Sequence, residues 1–178
     1  MAATTGLLSV EEFLKLPDPK EGHNELHHGA VVVVPPPKEG HQRLQDGLAV
    51  LLKKLAGERF VVRVEMAFQP TPEHEVWVAD VGCVTRERYA ATGVDEYIMG
   101  APDLVIEVLS PSNTVDEIND KMAICMANGC CSFWTVDGKR QRVSVTEGDV
   151  TKHYGLSDSI VCALFDAEIP VREIFSTS

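Results

Sequence analysis

The chain has 178 residues, 44 % apolar and 24 % charged, enough to bury one sizeable core, and no run approaches the roughly eighteen apolar residues of a membrane span. A formal net charge of −11 argues against a broad nonspecific nucleic-acid surface, because phosphates are met mainly by Lys and Arg. The opening Met-Ala-Ala-Thr-Thr lacks the basic region and apolar run of a secretion signal, so the chain reads as one cytoplasmic domain over residues 1–178.

Ser9-Val-Glu-Glu12 has the form of a capping box and predicts a short helix ending before Pro17. Residues 24–34 read as a hairpin turning at His28-Gly29, with the returning apolar strand stopped by Pro35-Pro-Pro37. From His41 to Ala56, Leu44, Leu48, Val50, Leu51, Leu52 and Leu55 recur at helical spacing, and Gly57 supplies a C-cap. Phe60 to Phe68 and Val76 to Val84 are strands around a proline-containing turn, and residues 86–100 form a short helical or irregular crossover. Asp103 to Leu109 is a near-continuous apolar strand of the kind covered on both faces, ended by Ser110-Pro-Ser112. A second capping box, Thr114 to Glu117, opens a helix whose inward stripe is Val115, Ile118, Met122, Cys125 and Met126 and which Gly129 stops. Ser132 to Val136 and Arg142 to Thr146 pair across Asp137-Gly138, and short strands follow. This order predicts an α/β fold, a central mixed β-sheet flanked by helices.

Five cysteines, at 83, 125, 130, 131 and 162, contain no Cys-x-x-Cys pair, so they read as core or near-core thiols and not as a disulfide or zinc framework. Charge is uneven. Residues 64–120 carry twelve acids against Arg86 and Arg88, whereas residues 29–63 carry six bases against three acids.

Two acids stand inside strands: Asp80 in Val76-Trp-Val-Ala-Asp80-Val and Glu107 in Leu104-Val-Ile-Glu107-Val. Asp and Glu are depleted there, and buried charges are normally paired or bound to metal. If the two strands are neighbours, about 4.8 Å apart, both carboxylates can grip one hard divalent cation, and Gly82 would leave open space beside Asp80. Asp103 is a poorer partner for Glu107, because four residues of extended chain separate them by about 13 Å.

The chain resembles the Uma-two family of restriction-endonuclease-like proteins, within the PD-(D/E)XK nuclease superfamily. The likeness runs from Ser9-Val-Glu-Glu-Phe-Leu-Lys-Leu-Pro17 through Glu25, Gly29, Pro35-Pro-Pro, His41-Gln42 and Ala79-Asp80-Val81. It continues in Gly100-Ala-Pro-Asp-Leu-Val-Ile-Glu-Val-Leu-Ser-Pro-Ser112, Lys121, Gly129 and Trp134-Thr-Val-Asp137. The resemblance implies a restriction-endonuclease-like core in which Asp80 and Glu107 bind Mg²⁺, with Mn²⁺ as substitute, and Glu25 is a further acidic contributor. The superfamily's lysine two residues after the strand glutamate is replaced by Leu109, and the resemblance points to Lys121 on the following helix instead. His41 matches a recurrent position and would contact phosphate or brace the site. His27 and His28 depart from the family pattern, and with His23 they match no common zinc-ligand spacing.

These readings converge on a Mg²⁺-dependent endonuclease acting on nucleic acid, DNA by the resemblance, in which Lys121 assists the attacking water. The chain's acidity supports an alternative, a nuclease-derived binding or regulatory module without activity. A hydrolase of a small phosphorylated substrate is a third. Exposed apolar tail elements and the hairpin 132–146 suggest a homodimer suited to cutting two strands.

Overall fold

Local signals set most element boundaries. The computed structural model describes residues 6–111 and 113–176; Met1 to Thr5, where a leader was sought, Ser112 of the Gly100 string, and the last two residues lie outside the described residues. Helix α1 (Val10–Phe13) begins at a complete Ser9/Glu12 capping box. Strands β1 (His23–His27) and β2 (Ala30–Val34) form a separate antiparallel hairpin, with His28 at φ 50° and Gly29 at φ 74° in the turn. Helix α2 (Glu39–Ala56) leads to β3 (Phe60–Gln69) and β4 (Trp77–Thr85), then α3 (Arg86–Ala91), β5 (Ile98–Met99) and β6 (Leu104–Val108). Helix α4 (Val115–Ala127), capped by Thr114 and Glu117, precedes β7 (Ser132–Asp137) and β8 (Arg142–Glu147).

The remainder is more regular than its sequence suggests: β9 (Val150–Tyr154), β10 (Ser159–Cys162), β11 (Ala167–Pro170) and α5 (Val171–Phe175). The main sheet has the order β5-β3-β4-β6-β7-β8-β9. It is mixed, antiparallel except where β5 meets β3 and β6 meets β7. Helices α2 and α5 cover one face, where Leu48, Leu52 and Ile174 pack with Val81, Ile106 and Trp134. Helix α4 covers the other, its Cys125, Ile118 and Met122 against Val105 and Phe133. The β1–β2 hairpin joins the sheet through a Leu26–Val76 bridge with both backbone bonds at 2.8 Å.

Three details differ from expectation. Val50 and Val115 are 52 % and 76 % exposed, Val50 because it lies off the Leu44/Leu48/Leu52 stripe and Val115 because the helix has only begun there. The open space predicted beside Asp80 is filled, since a Cβ on Gly82 would lie 2.6 Å from the Met66 sulfur. The apolar residues of the 132–146 hairpin, Phe133, Trp134, Val136, Val143 and Val145, are buried within the chain, and β9 covers that edge, so they offer a second copy no surface. Four cysteines are buried and Cys131 is exposed. Among the described residues no helix is long and apolar enough to cross a membrane.

Candidate active site

Strands β4 and β6 pair as Val81 with Ile106, Gly82 with Val105 and Cys83 with Leu104, so one further step sets Asp80 against Glu107. There the ladder ends and side chains take over its hydrogen bonds. The Val108 amide donates to Asp80 Oδ2 at 2.7 Å, and the Asp80 amide to Glu107 Oε1 at 3.4 Å. On the other side of β4, the β3–β4 register steps from Val64–Val81 to Met66–Ala79, and Glu65, between them, sits at φ 49°. A left-handed non-glycine residue breaking a ladder is a device that re-aims neighbouring side chains.

Both flanking helices reach this gap. From the first turns of α2, Gln45 Nε2 donates to Asp80 Oδ1 at 2.9 Å and His41 Nε2 lies 3.1 Å from the same oxygen. From α4, Lys121 Nζ donates to Glu107 Oε1 at 2.8 Å and to the Val78 carbonyl at 2.6 Å. Lys121 is only 8 % exposed, because these acceptors draw its long side chain onto the sheet beside β4 and β6.

Glu25 arrives on β1, which the Leu26–Val76 bridge holds beside β4. Its carboxylate meets His23 Nε2 at 3.1 Å and His27 Nε2 at 2.9 Å, and accepts the Val78 amide at 3.2 Å. The His27 ring stacks on Trp77 with centroids 3.6 Å apart, and Lys121 Nζ lies 5.9 Å from the Trp77 ring centroid. Trp77 in turn donates to Glu75 at 2.6 Å. Asp103 lies at the other end of β6, accepting from the Thr85 amide and pairing with Arg88 at 3.2 Å, so it is separate from this group.

The charges are unevenly compensated. Burial pushes Glu107 up to about 8, with the Asp80 charge adding to that rise against the pull of Lys121. Burial would also raise Glu25, but Lys121 and the His23 and His27 hydrogen bonds outweigh it and hold the carboxyl well below the usual range. Burial alone would lower Lys121; the charges of Glu107, Glu25 and Asp80 instead raise it, so it stays cationic. The hydrogen bond to Asp80 raises His41.

Among the described residues, no group of three or more His, Cys, Asp or Glu side chains is arranged to hold a metal. The imidazoles of His23 and His27 turn to Glu25, while His28 turns to Glu75 and Asp120, so they form no zinc set. Asp80 and Glu107 make a two-carboxylate, hard-oxygen donor pair. That suits Mg²⁺, which typically takes one or two protein carboxylates and completes its shell with waters and substrate phosphate.

Sequence reasoning missed Gln45, which is 1 % exposed and leaves its Oε1 without a partner among the described residues. Its spacing of i, i+4 from His41 was the available signal. Glu75 and Trp77, which brace the imidazoles, were also missed.

A family model described as "Putative restriction endonuclease", Uma2, matches residues 10–171. The chain belongs to the Uma2 family. Among solved structures, a "putative nuclease belonging to DUF820" from Anabaena variabilis ATCC 29413 superposes with a TM-score of 0.81. It is 20 % identical, and the match covers 95 % of this chain and 98 % of that one, so the Uma2 chain shares its fold. No curated protein matches the chain.

Proposed function

We propose that the chain is a Mg²⁺-dependent endonuclease hydrolysing phosphodiester bonds of nucleic acid, with Asp80 and Glu107 holding the ion and Mn²⁺ able to replace it. The observation that carries this reading is the juxtaposition of Asp80 and Glu107 across the end of the β4–β6 ladder, with the Lys121 ammonium on Glu107. When bound, the ion would polarise a phosphoryl oxygen and lower the pKa of a coordinated water.

The chain's own groups have distinct tasks. Lys121, kept cationic by three carboxylates, orients the attacking water and offsets charge developing on phosphorus oxygens; it is a donor, not a base. His41 and Gln45 fix the direction of Asp80. The N-terminal end of α2 lies beside the carboxylates, so its free backbone amides and positive dipole end favour an incoming phosphate. Glu25 positions Lys121 electrostatically and the Val78 backbone by hydrogen bond.

Incubation with single- and double-stranded DNA and RNA plus Mg²⁺ or Mn²⁺ tests the proposal. Cleavage that disappears in Asp80→Ala is expected; no cleavage of any substrate, or cleavage surviving that change, overturns it. The net charge of −11 favours a second reading, a binding or regulatory module on the same fold. Calorimetry separates them, because the module would bind neither Mg²⁺ nor Mn²⁺ at Asp80 and Glu107.

A further inference from the structure

Helix α1, the segment after it and strand β3 border a cleft of about 340 Å³ that the reaction above leaves unused. His23 and Val78 line it and both also bond Glu25, so it adjoins the buried polar network. Apolar surface converges on it: Leu14 and Leu16, 57 % and 38 % exposed, stand with the half-buried ring of Tyr97. Such convergence in one concavity differs from the scattered exposed apolar residues of an ordinary surface, and the volume is at the lower end for a small-molecule site.

The charged lining is one-sided. Asp18 and Glu65 line the cleft against the single imidazole of His23, whose pKa is raised chiefly by its hydrogen bond to Glu25, and neither Lys nor Arg lines it. Among the described residues, these two carboxylates and the Tyr97 hydroxyl make no hydrogen bond or ion pair. Asp18 lies near enough to Tyr97 to help burial raise its phenol pKa. Glu65 is held at φ 49° where the β3–β4 ladder breaks. A phosphate would be repelled here. A flat ring whose edge carries N–H donors would be complemented on both counts, its faces by Tyr97 and the leucines and its edge by the exposed carboxylates of Asp18 and Glu65.

We propose that this cleft is a subsite for one unpaired nucleobase bearing an exocyclic amino group, stacked on Tyr97 with its amino edge towards Asp18 and Glu65. The inference rests on the nuclease reading only for how the base arrives, carried by a phosphate at Asp80 and Glu107. A base paired in a duplex cannot enter, so single strands or flipped nucleotides are the substrates. Adenine, cytosine and guanine fit; thymine and uracil, which lack the amino group, do not.

Nuclear magnetic resonance titration of the full chain with adenosine, cytidine and thymidine tests the subsite without requiring activity. Saturating shifts at Ala67, Val78 and Tyr97 are expected from adenosine and cytidine but not thymidine, and should vanish in the Asp18→Asn, Glu65→Gln double variant. In parallel, labelled dA, dC and dT oligomers are bound to Asp80→Ala protein in EDTA. Adding Tyr97→Ala should weaken dA and dC binding about fivefold or more, the worth of one base stack, while Tyr97→Phe, which keeps the ring, stays close to the parent. Equal shifts from all three nucleosides, none from any, or shifts only from a lysine-bearing peptide overturn the subsite. Nucleoside shifts without cleavage of any nucleic acid would leave the subsite standing and sink the nuclease reading; metal-dependent cleavage without nucleoside shifts would do the reverse.

Discussion

Glu25 and Glu107 meet the same edge of β4, at Val78 and at Asp80, and are 4 % and 6 % exposed, yet the protein treats their charges in opposite ways. Glu25 is surrounded by donors, two imidazoles and the Val78 amide, and is held ionised. Glu107 has Lys121 and one long amide contact, faces the Asp80 carboxylate, and is pushed up to about 8. Equal burial therefore does not decide the outcome; the supply of donors does. Glu25 is complete within the fold, whereas the Asp80–Glu107 pair is short of positive charge, which is the condition a divalent cation relieves.

Lys121 is the group both glutamates share, and removing it should break the comparison most. Lys121→Met leaves three carboxylates without their common cation and should cost about 3–5 kcal/mol in urea unfolding. Mn²⁺ should recover part of that loss by replacing the missing charge. A variant as stable as the parent would show that the two glutamates are not coupled through this ammonium. Next in size are the ligand changes. Asp80→Ala and Glu107→Gln should each lower cleavage on the order of 10²–10³-fold and abolish Mn²⁺ binding in calorimetry. Glu25→Gln should keep Mn²⁺ affinity but lose about 1–3 kcal/mol of stability by stranding its imidazole and amide donors. If Glu25→Gln instead abolished ion binding, Glu25 would belong with the ligands.

Both carboxylate strands were readable because an acid within Val, Ile and Ala positions stands out, and the chain distance along one strand separated Asp103 from Glu107. The helix starts at Ser9 and Thr114 were readable because a capping box is closed within four residues. Gln45 was not, since an inward polar residue on a helix looks like a solvated one until Asp80 is known to lie opposite. Helix α5 is only five residues long and shows no period; it persists because Val171, Ile174 and Phe175 enter the same core as Leu48 and Leu52 of α2. What fills the space above Gly82 depends on the pairing of β3 with β4, a contact between residues far apart in sequence.

Met66 over Gly82 gives the packing side of the comparison a smaller test. Gly82→Ala puts a methyl group 2.6 Å from the Met66 sulfur, on the strand that carries Asp80, and overpacking of this kind should cost about 1–3 kcal/mol in thermal unfolding. Shortening the opposing side chain in Gly82→Ala, Met66→Ala should return part of the loss. If ion affinity falls along with stability, the position of Asp80 depends on this contact; if stability alone falls, Asp80 is braced independently by His41 and Gln45.

The smallest effect concerns His28, which ties the hairpin bearing Glu25 to the helix bearing Lys121. Its Nε2 lies 2.7 Å from Asp120 and its Nδ1 2.9 Å from Glu75. The Asp120 hydrogen bond chiefly raises its pKa above the ordinary 6.5; burial opposes it, and Glu75 adds to the rise. The folded protein thus binds this proton more tightly than the unfolded chain does. The contact stabilises fully below pH 6.5 and fades as pH climbs through the raised value. With the side chain 57 % exposed, solvent screening limits the gain to about 0.5 kcal/mol. His28→Asn tolerates the left-handed turn at φ 50° but cannot hold the proton, so it should flatten the stability slope above pH 6.5. A slope left unchanged would assign the pH dependence to His23 and His41, whose partners are Glu25 and Asp80, and would place it inside the site instead of at the tie between its two halves.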